Sequence, residues 1–351
     1  MMSRADLEQA IREGEIIAGE DFSGINLSGA NLSGAVFRGV RFDGADLSSA
    51  ALRESVFHNT TFVSAHAPGV DLSNAALVQC DLSNAALSGA NFSFAQLTNA
   101  VMVGASLGGA TLARTIMHAA NLRGASLTGA RLDKAVMLTA ILTDADMSQV
   151  TLSNVVLLAA DMSGVKCAGL SAMQTLFQDG NLLGMDFSGL TLAGCQFRNC
   201  RLTEARMTKG NFERSGFMGA NLEQADFSGA NLANTVFSGA RLTRARFGGA
   251  TLIQAHFQQA NLQSASFENA NLEMAGFNQA DCTGASFRGA NLAYADFSHA
   301  VLDGADLSDT TLLQAKLHAV SDNATRWSAG KALARGTDSD RLEAEQWRSG
   351  Q

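Results

Sequence analysis

Residues 221–240 read NLEQADFSGANLANTVFSGA, and these twenty residues show the pattern that decides the fold. A large apolar residue, here called the centre, recurs at every fifth position. The centres of this stretch are Leu222, Phe227, Leu232 and Phe237. A small residue, usually Ala, stands two positions before each centre; Asn, Asp, Thr or Arg directly precedes it, and Ser, Thr or Gly follows. The pattern keeps one phase from Phe22 to Leu317, so internal repetition dominates the chain.

A five-residue period fits neither regular secondary structure. On a helix, five residues carry the chain about 140° past a full turn, so the centres would spread over all faces. On a flat strand, an odd spacing would place alternate centres on opposite faces. A corner once per repeat removes the conflict, because every centre then points to the same interior. Gly, Ser, Asn and Asp, which surround the centres, are residues that tight turns prefer.

The order of Phe and Leu among the centres gives the number of corners in each coil. Phe22, Leu27, Leu32 and Phe37 are followed by the same order from Phe42 onward. Twenty residues therefore form one coil with four sides, in which like residues stack on like. About 15 such coils, spaced about 4.8 Å apart, predict a rod roughly 70 Å long with a filled core.

The runs NLSGA, NLRGA and FRGANLAYADF, together with the stretch quoted above, resemble the pentapeptide-repeat family, whose pattern is A(D/N)Lxx. The resemblance covers about residues 21–320. It implies an all-β solenoid, a right-handed, quadrilateral parallel β-helix. It leaves the function open, because one fold can host many functions.

The N-terminal residues 1–20 precede the repeats and are predicted to cap the open end of the solenoid. Residues 3–13 indicate a short helix with Ser3 as its N-cap and Asp6 three residues further on. Gly14 then stops the helix.

Residues 321–351 leave the period and form the predicted C-terminal cap or tail. Trp327 is expected to cover the last coil. A helix over residues 338–348 would present Leu342 and Trp347, and it could pack back, dimerise or stay loose. The sequence does not decide among these three arrangements.

The weakest internal stretch divides the repeats into two halves. Residues 166–180 contain two successive small centres, Cys167 and Ala172, and we interpret this stretch as a possible seam. It separates a first half, residues 21–165, rich in Leu and Met from a second half, residues 181–320, rich in Phe.

The composition excludes several classes of protein. The formal net charge of −8 speaks against a surface that tracks nucleic-acid phosphates. No run approaches the roughly 18 apolar residues of a membrane span, and the charged N-terminus has no apolar secretory core. Five Cys, an odd and sparse count, favour a reducing compartment. We therefore expect a cytoplasmic protein that does not insert into a membrane and does not bind nucleic acid directly.

No catalytic or metal-binding constellation emerges from the sequence. His58, His118 and His318 fall in one outer row, but His58 and His118 are three coils, roughly 14 Å, apart and cannot share an ion. All five Cys are predicted to point inward, where Cys acts as a small hydrophobe. The Asn, Asp and Thr residues before the centres are expected to hydrogen-bond from coil to coil. We predict no enzyme, no metal and no cofactor.

One outer face of the first half is unusually apolar, which is typical of an interface. The residues before its centres are Val36, Val56, Ala76, Gln96, Ile116, Val136, Val156 and Leu176. The same pattern also fits an ordinary pleated surface, which β-branched residues suit. If the face binds a partner, its predicted centre consists of Ile116, Val136, Leu138, Val156 and Leu158.

A second outer surface is basic. Arg201 and Arg241 share one row, and Arg206 and Arg246 share another with Asp226 between them. We interpret this cluster as an Arg–Asp–Arg ladder, with anion binding as the weaker alternative.

The leading hypothesis is a non-enzymatic scaffold that binds a protein partner, or itself as a homodimer, through the sides of the rod. A second hypothesis is a DNA mimic that binds DNA gyrase or another topoisomerase, although the acidity is sparse for a mimic. A third is an accessory protein of a bacterial secretion system. The opening LEQAIREGEIIAGEDFSGINLSGANL resembles pentapeptide-repeat proteins encoded beside such systems.

Overall fold

The computed structural model describes residues 2–346. The chain divides into two compact units, Met1–Met185 and Asp186–Gln351, which we call unit 1 and unit 2. Each unit consists of stacked coils joined by parallel bridges between residues twenty positions apart. The predicted surface residue Trp347 lies outside the described residues. The seam predicted over residues 166–180 stays a prediction.

One repeat shows how the backbone satisfies its own hydrogen bonds. In residues 46–50, the first N–H donates to the preceding coil (2.9 Å), and the second and fourth donate to the following coil (2.7 and 2.9 Å). The fifth N–H closes the turn on the carbonyl of the second residue (3.0 Å). The third, on Ser48, donates to Oδ1 of Asp46 (3.0 Å). All five N–H groups therefore have acceptors, as a tightly packed backbone requires.

The Asn and Asp residues before the centres act mainly inside their own repeat, which corrects the predicted coil-to-coil role. In unit 2, the Ser228 N–H donates to Oδ1 of Asp226 at 2.9 Å, as in the repeat above. Bonds between coils occur at fewer places, for example from Asn91 Nδ2 to Oδ1 of Asp71 (3.1 Å). The carboxylate or amide oxygen thus closes an Asx turn on the N–H that the backbone leaves over.

The fourth residue of each repeat lies in the left-handed region. Gly24 has φ 68° and Ser49 has φ 52°. Because Gly and Asn enter this region at the lowest cost, they recur there. The centre and the fifth residue are buried, so a small Ala fits beside each large centre.

Unit 1 begins with helix α1 (Arg4–Arg12). Its N-cap Ser3 accepts a hydrogen bond from the Asp6 N–H, and the Asp6 side chain accepts one from the Ser3 N–H, which together form a capping box. Leu7 is fully buried, and Arg4 Nη1 donates to the carbonyl of Ser28 (2.9 Å). These contacts hold the helix on the first coils.

Residues 2–185 of unit 1 contain five short strands. They are β1 (Ile16–Ala18), β2 (Val36–Arg38), β3 (Val56–His58), β4 (Thr151–Ser153) and β5 (Ser171–Met173). Strands β1, β2 and β3 form one parallel sheet in that order, and β4 pairs with β5. The register places Phe37 beside Phe57, one coil further along the chain.

In unit 2, strand β6 (Asp306–Leu307) still belongs to the repeats. Beyond the repeats the chain forms β7 (Arg326–Trp327), the 3-10 helix η1 (Ala329–Leu333) and helix α2 (Ser339–Gln346). Trp327 pairs with Leu307, and its Nε1 donates to Asp322 (3.2 Å), while Lys331 Nζ lies 4.0 Å from its ring centroid. Within residues 2–346, no helix is long and apolar enough to cross a membrane.

The two units fill their cores differently. Unit 1 uses mainly Leu and Met, with Phe stacks near its start such as Phe22 and Phe42 at 5.4 Å between ring centroids. Unit 2 carries two columns of stacked Phe rings. In one column, Phe237 lies 5.2 Å from Phe217 and 4.9 Å from Phe257, and the other column meets it edge to face. Such geometry is favourable for aromatic rings.

Candidate functional site

A single file of mostly apolar side chains runs along one side of unit 1, and we call it the apolar row. Parallel pairing joins its members from coil to coil: Ile16, Val36, Val56, Ala76, Gln96, Ile116, Val136, Val156 and Leu176. Ile16 is 52% exposed, Ile116 43% and Leu176 39%, and the Val side chains are half-buried. The row therefore offers apolar surface to solvent over many successive coils.

The five residues predicted as the centre of an interface lie together. Ile116 pairs with Val136, and Val136 pairs with Val156, so these three occupy consecutive coils. Leu138 lies in the coil of Val136 and Leu158 in the coil of Val156. Each directly follows the centre of its repeat, and both are half-buried. Sequence reasoning missed Ile16, which is 52% exposed, although the twenty-residue spacing from Val36 identifies it.

A second file stands at the corner beside the apolar row, and we call it the corner row. It consists of Glu54, Asn74, Phe94, Arg114 and Lys134, all with positive φ. Phe94 is 53% exposed, and the Arg114 guanidinium lies 5.5 Å from its ring centroid. Sequence reasoning missed Phe94, whose signal is a Phe off the five-residue phase. Among the described residues, neither Glu54 nor Lys134 forms an ion pair.

The basic cluster of unit 2 is largely paired with carboxylates. Arg206 Nε lies 3.6 Å from Asp186, and Arg246 Nη1 lies 3.9 Å from Asp226. Arg206 thus pairs with a different carboxylate from the one predicted, because its side chain reaches back to the preceding coil. Of the predicted Arg206–Asp226–Arg246 ladder, only the pair between Asp226 and Arg246 is therefore confirmed.

The remaining two arginines of the basic cluster behave differently. Arg241 Nη2 lies 2.5 Å from Glu223, whereas Arg201 forms no ion pair within residues 2–346. In these three pairs the arginine side chain is more than half exposed to solvent, and exposed ion pairs contribute little to stability. The cluster is therefore better described as neutralised surface than as an open anion site.

Two histidines and one carboxylate converge at the end of unit 2, a cluster that sequence reasoning missed. Nε2 of His299 and Nε2 of His318 each lie 3.1 Å from Oε2 of Glu345 on α2. The Arg341 side chain donates to the other oxygen of Glu345 (2.7 Å). Hydrogen bonds from Arg341 and then from His318 lower the pKa of Glu345. The carboxylate thus ties α2 to two successive coils.

The tautomer of His318 decides the character of this cluster. Its Nδ1 accepts a hydrogen bond from the backbone N–H of Asp338 (3.2 Å), and the ring is buried. In a neutral ring, the proton must therefore sit on Nε2 and point at Glu345. A metal-ligating His has the reverse arrangement, because its second nitrogen donates to an acceptor. The cluster fits a hydrogen-bonded clamp, and it does not fit a metal centre.

The cysteines lie inside the coils, as predicted. All five are buried. Burial raises the pKa of the Cys80 thiol to about 12, and burial likewise raises the pKa of Cys282. Because the thiolate is the reactive form, these two side chains behave as small core residues.

Coils of five-residue repeats with inward centres define a parallel β-helix, and comparison with known proteins agrees. The Pentapeptide repeats pattern (8 copies) matches residues 21–59, 69–104, 100–137, 140–179, 181–215 and 280–318. The Pentapeptide repeat region pattern matches residues 210–287. The chain belongs to the pentapeptide-repeat family. No curated protein sequence matches it.

Several solved structures are similar to this chain. HetL, a pentapeptide repeat protein involved in heterocyst differentiation regulation from Nostoc sp. strain PCC 7120, is 24% identical over 88% of this chain and 97% of its own, with a TM-score of 0.30. QnrB1, a plasmid-mediated fluoroquinolone resistance protein, is 19% identical over 57% of this chain and 88% of its own, with a TM-score of 0.28. A pentapeptide repeat protein from the Arabidopsis thaliana thylakoid lumen is 35% identical over 27% of this chain and 70% of its own, with a TM-score of 0.23.

Proposed function

We propose that this protein is a non-enzymatic scaffold that binds a protein partner through the apolar row of unit 1. The observation that carries the proposal is the contrast with the equivalent row of unit 2. That row consists of Gln196, Gly216, Val236, His256, Gly276, Asp296 and Lys316. If β-branched side chains merely suited the pleated surface, both rows would contain them. In the row of unit 2, only Val236 is β-branched. The apolar residues of the row in unit 1 therefore need a cause beyond the preference of a pleated backbone.

The titratable groups support a non-enzymatic role. Hydrogen bonds from Ser48 lower the pKa of Asp46, and hydrogen bonds from Ser148 lower the pKa of Asp146. Perturbed carboxylates often mark catalytic sites, but these two close the turns of their own repeats. They lie five coils apart on the same side of unit 1, too far apart to act on one substrate.

The proposal includes the finer features of the fold. Parallel strands joined by crossovers are overwhelmingly right-handed, which supports a right-handed coil. The buried Leu7 supports α1 as the cap of the first coil, and the predicted count of about 15 coils follows from the twenty-residue register. We expect the protein to act in the bacterial cytoplasm.

Capture of partners from native lysate tests the proposal. Tagged wild-type protein is compared by mass spectrometry with an Ile116→Lys/Val136→Lys variant. The matched control, Val236→Lys/His256→Lys, places two lysines on consecutive coils of the equivalent row in unit 2. We expect the wild type and the control to capture a partner that the Ile116→Lys/Val136→Lys variant loses.

Circular dichroism verifies that all three proteins are folded. Equal capture by the wild type and the Ile116→Lys/Val136→Lys variant would contradict the proposal. Equal loss in both lysine variants would also contradict it, because binding would then not depend on the apolar row.

A further inference from the structure

The apolar row of unit 1 is nearly palindromic about Gln96. Coils at equal distances on either side of Gln96 carry pairs of apolar residues: Ile16 with Leu176, Val36 with Val156, Val56 with Val136, and Ala76 with Ile116. The smallest member, Ala76, stands opposite a large one, and the polar Gln96 stands at the middle. In an isologous interface, residue i of one copy contacts residue j of the other, and j contacts i. An antiparallel second copy would therefore place apolar residues of this row opposite apolar residues.

The corner row has the same symmetry in its charges. Phe94 lies at its middle, with Glu54 two coils to one side and Lys134 two coils to the other. These two charges are separated by about 19 Å at 4.8 Å per coil, so they cannot pair within one chain. In a copy running in the opposite direction, Lys134 would face Glu54, and Phe94 would face Phe94.

We propose that the partner of the apolar row is a second copy of this chain, packed antiparallel about a two-fold axis at Gln96 and Phe94. The inference rests on the proposed function of that row and names its occupant. Two Glu54–Lys134 pairs would form, one on each side of the axis. A parallel arrangement would bring neither pair together, so the charges select the antiparallel one.

The remaining residues of the face tolerate this arrangement. In the row that follows the centres, His58 would face Leu138, Val78 would face His118, and Arg38 would face Leu158. In the corner row, Arg114 would face Asn74. None of these positions opposes two charges of the same sign, which would otherwise disfavour the contact.

The size of the face predicts the strength of the dimer. The apolar row spans eight coil steps, roughly 40 Å, and the face is about 10 Å wide. Each copy would then lose roughly 400 Å² of surface, which is about 800 Å² in total and below the roughly 1,200 Å² of stable interfaces. We therefore expect a reversible dimer whose population depends on concentration.

Sedimentation of the full chain over a concentration series tests the proposal. Lys134→Glu alone and Glu54→Lys alone each place like charges opposite one another twice, and each should raise the dimer dissociation constant about tenfold or more. The double variant Glu54→Lys/Lys134→Glu re-forms both pairs with reversed sign, so it should recover the wild-type dissociation constant. Lys209→Glu, at an exposed left-handed corner of unit 2, is the matched control and should change nothing.

Three results would overturn this inference: a wild-type chain that stays monomeric at all concentrations, single variants that dimerise normally, or a double variant that fails to recover. A monomeric chain that still captures another protein through Ile116 and Val136 would refute the homodimer and leave the scaffold proposal standing. A dimer insensitive to Ile116→Lys/Val136→Lys would refute the homodimer through the apolar row, and partner capture from lysate would then decide the scaffold proposal separately.

Discussion

The two units build the same coil and differ in which positions carry large apolar side chains. In unit 1 the core is mainly Leu and Met, and apolar residues also occupy an outer row that includes Ile116. In unit 2 the core contains stacked Phe columns, and the equivalent outer row holds polar residues such as His256 and Asp296. Since the backbone bonding is the same, the difference lies in side chains alone. The proposed binding surface of unit 1 therefore has no apolar counterpart in the equivalent row of unit 2.

The largest expected effect concerns the core of unit 2. Phe237→Ala should lower the free energy of unfolding by about 3–5 kcal/mol, because a cavity forms and the stacking on Phe217 and Phe257 is lost. Met137→Ala, at the equivalent centre of unit 1, should cost less, since no ring stack is broken. Chemical denaturation measures both.

Equal losses of unfolding free energy in the two variants would contradict the expectation that the Phe columns stabilise unit 2 beyond the Leu and Met core of unit 1. If Phe237→Ala does not fold, Phe237→Leu provides the test, with an expected loss of about 1–2 kcal/mol.

The next effect concerns the turns, and it should be alike in both units. Asp146 in unit 1 and Asp306 in unit 2 each accept hydrogen bonds from the Ser two residues on, which lowers their pKa. A carboxyl whose folded-state pKa lies below its unfolded value stabilises the fold above the unfolded pKa. That contribution disappears as the pH falls through the folded-state pKa. We expect the stability to be constant from pH 7 to about 5 and to decline below about pH 4.

Replacing these Asp residues with Asn removes the negative charge of the carboxylate and keeps an oxygen that can accept the hydrogen bond of the turn. Asp146→Asn and Asp306→Asn should keep the Asx turn, as Asn26 does with Ser28 at 2.9 Å, and should each reduce the acid-dependent loss. Denaturation at pH 3 and pH 7 measures the effect. An unchanged pH dependence in both variants would show that these carboxylates do not set the acid limit.

The smallest effects belong to the surface. Arg246→Gln removes a 3.9 Å pair whose arginine is 71% exposed, and solvent screening should limit the loss to about 0–0.5 kcal/mol. Ile116→Lys should likewise cost no more than about 1 kcal/mol, because its side chain already meets solvent. A loss above 2 kcal/mol for Ile116→Lys would show that this residue serves the fold, and would weaken its assignment to an interface.

The repeat made much of the fold predictable. A five-residue phase dictates which side chains point inward, and the order of Phe and Leu fixes twenty residues per coil, as the pairing of Phe37 with Phe57 shows. The same arithmetic predicted that Ile116, Val136 and Val156 are neighbours. These features depend only on spacing, so they can be read without coordinates.

Other features depend on side-chain conformation and could not be read from spacing. Asp226 could bond to its own repeat or to the next coil, and the two differ by a rotation about one bond. Arg206 has carboxylates on both neighbouring coils, and its long side chain reaches Asp186. The cluster of His318 with Glu345 arises because α2 folds back outside the period, where no repeat constrains the chain.

The central claim, that the apolar row of unit 1 is covered in the working protein, can be tested with one thiol-labelling measurement. Because all five native Cys are buried, a single introduced Cys should dominate labelling by a bulky maleimide at neutral pH. Ile116→Cys and its unit 2 counterpart Val236→Cys are labelled at low and high protein concentration and in native lysate. We expect position 116 to be protected at high concentration or in lysate, while position 236 labels at the same rate throughout. Equal labelling at both positions under all conditions would contradict the account.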